Sequence, residues 1–147
     1  MQIDGSRLGL QHFSEGWRLY FPAGLLGFPQ RKDYRIRNHG QDVPFKWLQA
    51  TDDPPLAFVI IDPFAFLPDY QVDIQEQDQH ELSVTDPDQL ALVVIVSLPG
   101  KVSPHLTVNL QGPLLVNCAN GWAKQLVLVN GPYHTCHPLV ETQNAPS

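Results

Sequence analysis

The chain has 147 residues, 43% of them hydrophobic, and carries a formal net charge of -6. This length indicates one domain, and the acidic balance argues against direct nucleic-acid binding, which depends on lysine and arginine neutralising phosphates. No apolar run reaches the roughly 18–20 residues that cross a bilayer and no secretory signal is visible, so we expect a cytoplasmic protein without a membrane partner.

The prolines and glycines are spread along the whole chain and are not gathered in one linker. This pattern punctuates many short strands, and roughly nine or ten strands at intervals of about 8–12 residues predict an all-β sandwich or barrel. One or two short helical turns are predicted, within Gln75–Val84 and at Asp86–Gln89, where proline follows an aspartate cap.

The first strands are predicted from the alternation of apolar and polar residues. One strand of a first pair contains residues 8–10, and the other contains residues 17–21. The loop Phe21–Pro29 is rich in glycine and proline, and we expect Leu25 and Phe28 to anchor it in the core. Three residues are assigned to the strand that follows: Tyr34, Ile36 and Val43.

Two strands in the middle of the chain, Phe45–Ala50 and Leu56–Ile61, flank an acidic connection, Asp52-Asp53-Pro54-Pro55. Proline ends both strands because it lacks the N–H group that a ladder needs. Leu56–Ile61 is a continuous apolar run typical of a strand buried on both faces, and Leu90–Leu98 is a longer run of the same kind. The remaining strands are predicted at residues 70–75, 106–110, 114–116 and 126–129.

Candidate metal ligands occur near the C-terminus, at His134, Cys136 and His137. Their spacing lacks the two paired motifs of a structural zinc site, so no metal or cofactor is predicted, and both cysteines are expected to be reduced. No nucleophile elbow or similar setting occurs, so no catalytic residue is predicted. Asn109 and Asn117 are expected to be buried and to satisfy carbonyl groups of loops.

Several blocks of the sequence, taken in order, resemble the FliW family of flagellar assembly factors. The blocks are Phe21–Phe28, Phe45–Gln49, Leu56–Phe58, Asp62–Pro63, Asp69–Tyr70, Thr107–Pro113, Asn117, Lys124–Leu128, Tyr133 and His137–Leu139. Together they cover one domain over residues 1–140, which leaves residues 141–147 as a flexible C-terminal tail.

The resemblance implies a small, single-domain, β-barrel-like cytoplasmic protein of mostly antiparallel strands that is not an enzyme. Members of this family bind flagellin before its export. They also bind and antagonise CsrA, a dimeric RNA-binding translational repressor, so that the flagellin level feeds back on flagellin translation. We therefore expect flagellin and CsrA as partners and a monomeric protein, and the negative net charge suits a basic RNA-binding partner.

The same resemblance directs attention to exposed acidic and aromatic residues. Asp52 and Asp53, with Asp69 on a later connection, are predicted to form an acidic rim that contacts CsrA or flagellin; solvated turn residues are the alternative. Four aromatic residues are candidates for an apolar contact patch: Trp47, Phe64, Phe66 and Tyr70. Of these, Trp47 is expected, like Phe58, to pack in the core, which leaves Phe64, Phe66 and Tyr70 as the predicted contact residues.

Two other classes of function stay open at this point. One is a small β-barrel hydrolase or carbohydrate-binding enzyme that uses the Asp52–Asp53 loop as its site. The other is an OB-like nucleic-acid binder, against which the acidic balance counts.

Overall fold

The computed structural model describes residues 1–3, 8–40, 44–98, 105–129 and 131–139. The strands are β1 (Gln2–Ile3), β2 (Arg18–Tyr20), β3 (Asp33–Asn38), β4 (Phe45–Ala50), β5 (Ala57–Ile61), β6 (Val72–Asp73), β7 (Leu90–Ser97), β8 (Thr107–Val108), β9 (Leu114–Asn117), β10 (Trp122–Gln125) and β11 (His137–Pro138). The helix α1 spans Glu76–Glu81, and 3₁₀ turns span Leu10–His12, Pro63–Ala65 and Pro87–Gln89.

Seven of these strands close a barrel in the order β7-β5-β4-β3-β2-β10-β9, because β9 also pairs with β7. The pairs within the barrel are antiparallel, except that β10 runs parallel to β2. On the outer side, β8 pairs with β7 and β11 pairs with β8, while β1 and β6 form a separate two-stranded sheet. The predicted all-β, barrel-like fold is confirmed.

Two hydrophobic cores lie on opposite sides of the barrel wall. Along β7, Ala91 and Val93 face the barrel interior, whereas Leu92 and Val94 face an outer core. The outer core is covered by a layer that we call the covering layer: β1, residues 64–84, β8, and residues 126–129 and 131–139. Strand β7 is therefore buried on both faces, as its continuous apolar sequence predicts.

The predicted helical turns are confirmed, and an aspartate side chain makes a capping hydrogen bond at the start of each. Asp78 in the first turn of α1 accepts a hydrogen bond from the N–H group of Gln75 at 3.1 Å. Asp86 accepts one from the N–H group of Asp88 at 3.0 Å and starts the turn Pro87–Gln89. No helix in the described ranges has the length and hydropathy that a membrane-spanning helix needs.

The predicted N-terminal hairpin is wrong. Leu8 makes only an isolated bridge to Ala91, and the chain then enters the 3₁₀ turn Leu10–His12. Instead, β2 pairs with β3, and β1 pairs with β6 about 70 residues away in the sequence. Local alternation cannot reveal such a distant partner.

Two other predictions need correction, and some lie outside the described residues. The strand predicted at residues 126–129 lies earlier, at β10, where Ala123 faces the barrel interior and Trp122 faces outward. Leu25 anchors its loop in the core as expected, but Phe28 is partly exposed and rests on the ring of Phe58. Val43 and the tail 141–147 are not among the described residues.

Candidate functional site

The acidic turn that precedes β5 is tied to the rest of the surface by one arginine. Arg31 Nε lies 3.4 Å from Asp53 Oδ2, and Arg31 Nη1 lies 3.9 Å from Asp52 Oδ2. Both carboxylates are about half exposed, so the pairing contributes little to stability, but it offsets one of the two negative charges. Glycoside hydrolysis needs two carboxylates on either side of the bond that is cleaved. Because the carboxylates of Asp52 and Asp53 both lie beside Arg31, their arrangement does not support the hydrolase alternative.

The other predicted contact residues follow β5 at its opposite end. Asp62 accepts a hydrogen bond from the N–H group of Phe64 at 2.9 Å and starts the turn Pro63–Ala65. Burial raises the pKa of the Asp62 carboxyl, and the Phe64 hydrogen bond opposes this shift. Phe64 and Phe66 are half-buried against the outer core, and Asp69 is exposed. Because β5 is 5 residues long, its two ends are about 13 Å apart, and this group lies at the end away from the acidic turn.

Tyr70 needs correction as a contact residue, because its side chain is 0% exposed. Its hydroxyl donates a hydrogen bond to the Leu110 carbonyl at 2.6 Å, and its ring meets the Tyr133 ring edge-on with centroids 4.6 Å apart. Burial raises the pKa of the Tyr70 hydroxyl above its ordinary value. Tyr70 is thus a core residue that supports Tyr133 at the surface.

Tyr133 forms one wall of an open groove in the covering layer, with a volume of about 850 Å³. We call it the β10 groove, because Lys124 and Gln125 at the end of β10 line it together with residues 126–129 and 131. Residues 71–73 with Gln75 and Asp78 also line it, and the N–H group of Gln71 donates to the Tyr133 hydroxyl at 3.2 Å. The lining therefore mixes apolar and polar side chains.

Residues 126–129 give the groove an open backbone edge. The N–H groups of Leu126 and Leu128 donate to the carbonyls of Pro113 and Gln111 at 2.8 and 2.9 Å. In an extended chain, successive residues point their N–H and C=O groups to opposite sides. The N–H and C=O groups of Val127, between the two leucines, therefore point away from residues 111–113, and they pair with no described residue. The side chains of Val127 and Val129 are 55% and 73% exposed. Such an edge is a template for binding another chain.

A small ion-pair cluster fixes the end of the groove that lies against α1. Lys124 Nζ lies 2.7 Å from both Asp78 Oδ1 and Glu81 Oε1. Burial alone acts to lower the pKa of Lys124, but hydrogen bonds to the two carboxylates outweigh it and the pKa is raised. The same Lys124 hydrogen bond holds the pKa of Glu81 below its ordinary value. Lys124 therefore stays charged and anchors α1 to β10.

The candidate metal ligands do not come together. Among the described residues, no group of three or more histidine, cysteine, aspartate or glutamate side chains is placed to hold a metal ion. Cys136 is an exposed free thiol, and His137 stacks on the ring of Phe66 with centroids 6.3 Å apart. Cys118 is also free, and burial raises the pKa of its thiol to about 11.

The two asparagines hold loops in place. Asn117 is buried and donates to the carbonyl of Leu82, as predicted. Asn109 instead accepts hydrogen bonds through its side-chain oxygen, from the N–H groups of Gln111 and Gly112. Both side chains therefore shape the turns that frame β9, and neither is placed for chemistry.

The sequence did not single out the β10 groove. Its apolar part, residues 126–129, reads as one more buried strand, because leucine and valine alternate without a polar residue between them. In the fold the two leucines face the outer core and the two valines face solvent. In the sequence, the apolar residue at every position of 126–129 is the only sign that one face of this segment packs in the core while the other is free to contact a partner.

Comparisons with known proteins agree on one family. The family model described as FliW protein matches residues 2–139. The flagellar assembly factor FliW of Caldanaerobacter subterraneus subsp. tengcongensis is 37% identical over 142 residues, covering 96% of this chain and 94% of the relative. The FliW of Treponema denticola is 36% identical over 145 residues, covering 99% of this chain and 97% of the relative.

A solved structure agrees in fold as well as in sequence. The crystal structure of the flagellar assembly factor FliW superposes with a TM-score of 0.76 at 29% identity, covering 95% of this chain and 97% of the other. The match thus extends over the barrel and the covering layer together. The chain belongs to the FliW family of flagellar assembly factors.

Proposed function

We propose that this protein binds unassembled flagellin as a chaperone-like partner and binds and antagonises CsrA in the cytoplasm. Through these two interactions it couples the flagellin level to flagellin translation. The family membership supports an assembly role, and the surface supports binding. The proposal assigns the two partners to different surfaces, because the β10 groove and the acidic turn of Asp52 and Asp53 share no residue.

The observation that carries the proposal is the β10 groove. It combines an open volume of about 850 Å³, exposed Val127 and Val129, and a backbone edge at Val127 that pairs with none of the described residues. The helical C-terminal region of flagellin is exposed before polymerisation and needs an apolar surface to cover it. Amphipathic helices bind in grooves through apolar side chains at regular spacing, and an apolar wall backed by a rigid core suits that role.

Replacing both Val127 and Val129 with glutamate is expected to weaken flagellin binding at least about tenfold, because two charges would be buried against apolar side chains. Both residues are exposed, so the fold should be retained. Isothermal titration calorimetry with purified monomeric flagellin measures the effect. Leu26→Glu with Leu98→Glu is the matched control, because both residues are exposed and lie outside the groove lining. Equal affinities of the double variant and the original protein would contradict the assignment.

For CsrA, the proposal uses the acidic turn. Replacing Asp52 and Asp53 with lysine is expected to weaken CsrA binding and to flatten its dependence on salt, because exposed charges act through a screened, long-range attraction. The effect should be moderate, since Arg31 already offsets part of the charge. Binding is measured at low and high salt. Glu76→Lys with Asp88→Lys makes the same change in net charge at exposed positions elsewhere. If both pairs of substitutions have the same effect, net charge alone decides the binding and the site assignment fails.

A further inference from the structure

One part of the barrel wall lies outside the covering layer that the described residues form. The outer faces of β5, β7 and β9 are covered by the outer core, but the outward-facing side chains of β2 and β3 reach solvent. We call this the β2–β3 face. Four exposed side chains on the two strands and β10 define it: Arg18, Arg35, Arg37 and Trp122. A sheet face that a protein leaves open is a surface available to a partner.

The β2–β3 face is basic although the whole chain is acidic. Arg18 lies directly opposite Arg35 in the antiparallel ladder, an arrangement of like charges that destabilises a sheet. Arg18 is paired with Asp33, and Arg37 with Glu15 at 3.2 Å. Arg35 donates one hydrogen bond, from Nη1 to the Gly16 carbonyl at 3.3 Å, and it forms no ion pair with any described residue. Within the described part of the chain, Arg35 therefore keeps a positive charge that pairs with no acidic side chain.

An aromatic groove of about 440 Å³ adjoins these arginines. Trp17, Tyr20 and Trp122 line it together with Arg18, and the Tyr20 and Trp122 rings meet edge-on with centroids 5.6 Å apart. Gly121 lets the chains approach closely here: its φ is +78°, and a Cβ at this position would lie 2.8 Å from the Arg18 carbonyl oxygen. The groove is thus built into the junction of β2 and β10.

We propose that the β2–β3 face binds an acidic, extended segment of a partner protein. Carboxylates of the segment would pair with Arg35 and its neighbours, and apolar or proline side chains between them would lie on the tryptophan and tyrosine rings. Aromatic-lined grooves bind extended segments in this way, and arginine is well suited to carboxylates because of its fork of N–H donors. The inference depends on charge complementarity and is independent of the flagellin and CsrA assignments.

Fluorescence anisotropy with labelled glutamate-rich peptides, interleaved with proline, leucine or tyrosine, tests the proposal. The acidic peptides are expected to bind more tightly than the same peptides with glutamine in place of glutamate, and the difference should shrink at high salt. Arg35→Gln is expected to weaken binding about threefold to fivefold, and Trp122→Leu about tenfold. Arg31→Gln, which makes the same change in charge at the acidic turn, should leave the affinity unchanged. Thermal melts establish that each variant is folded.

Three results would overturn the proposal. The first is equal binding, or no binding, of the acidic and neutral peptides. The second is an unchanged affinity of folded Arg35→Gln and Trp122→Leu. The third is tighter binding of a single-stranded oligouridylate than of every acidic peptide, because stacking rings beside arginines would then serve a nucleic acid.

Discussion

Replacing Tyr70 with alanine is expected to lower the free energy of unfolding by about 3–5 kcal/mol. Tyr70 is one of the largest fully buried side chains, and it joins Phe64, Tyr133 and the Leu110 carbonyl in the outer core. The substitution removes these contacts and leaves a cavity beneath the groove wall. Equilibrium unfolding in urea, followed by tryptophan fluorescence, measures the loss.

Tyr70→Phe separates the two roles considered for this residue. It keeps the ring but leaves the Leu110 carbonyl without its buried donor, which costs about 1–3 kcal/mol. Because the side chain is fully buried, affinity for flagellin should not change while stability falls. A loss of affinity in a variant that remains folded would restore Tyr70 as a contact residue.

Replacing Asn117 with alanine is expected to destabilise the protein by about 1–3 kcal/mol, because it removes the hydrogen bonds of a buried side chain and leaves the Ala119 N–H group without its acceptor. The side-chain amide of Asn117 donates to the Leu82 carbonyl at 3.0 Å, and its oxygen accepts from the N–H group of Ala119 at 3.0 Å. These bonds join the end of α1 to the turn between β9 and β10. Thermal unfolding followed by circular dichroism measures the change.

Asn120 provides the matched control for this prediction. It donates to the same Leu82 carbonyl at 3.1 Å, but its side chain is exposed. Asn120→Ala should cost less, since water can replace an exposed partner. If the two alanine variants lose the same stability, burial of Asn117 is not the source of its contribution.

The parts of the fold that were predictable share a strong local signal. β4, β5 and β7 are marked by alternation or by a continuous apolar run, and proline ends or separates them. β10 was missed because its sequence Trp-Ala-Lys-Gln places only the small Ala123 in the core. The pairing of β1 with β6 was missed because it depends on two distant segments of two residues each.

The residues that contact a partner were harder to predict than the strands, because exposure is not a local property of the sequence. Residue type indicates that an aspartate or a phenylalanine can contact a partner, but exposure depends on which elements cover it. Phe64 and Tyr70 are similar in the sequence, yet one is half-buried and the other is fully buried. Val127 and Val129 resemble core residues and are exposed. A contact role for Asp52, Asp53, Phe64, Phe66 and Asp69 stays a prediction.

The double-sided burial of β7 links the groove to the barrel. Alternate side chains of this strand belong to the two cores, so water is excluded from both sides of most of the strand while the chain is folded. If the covering layer unfolded, one side of β7 would be exposed to water, and β7 is also the strand that closes the barrel by pairing with β9. The two halves of the molecule are therefore expected to melt as one cooperative unit, and any ligand that clamps the outer half also protects the inner one.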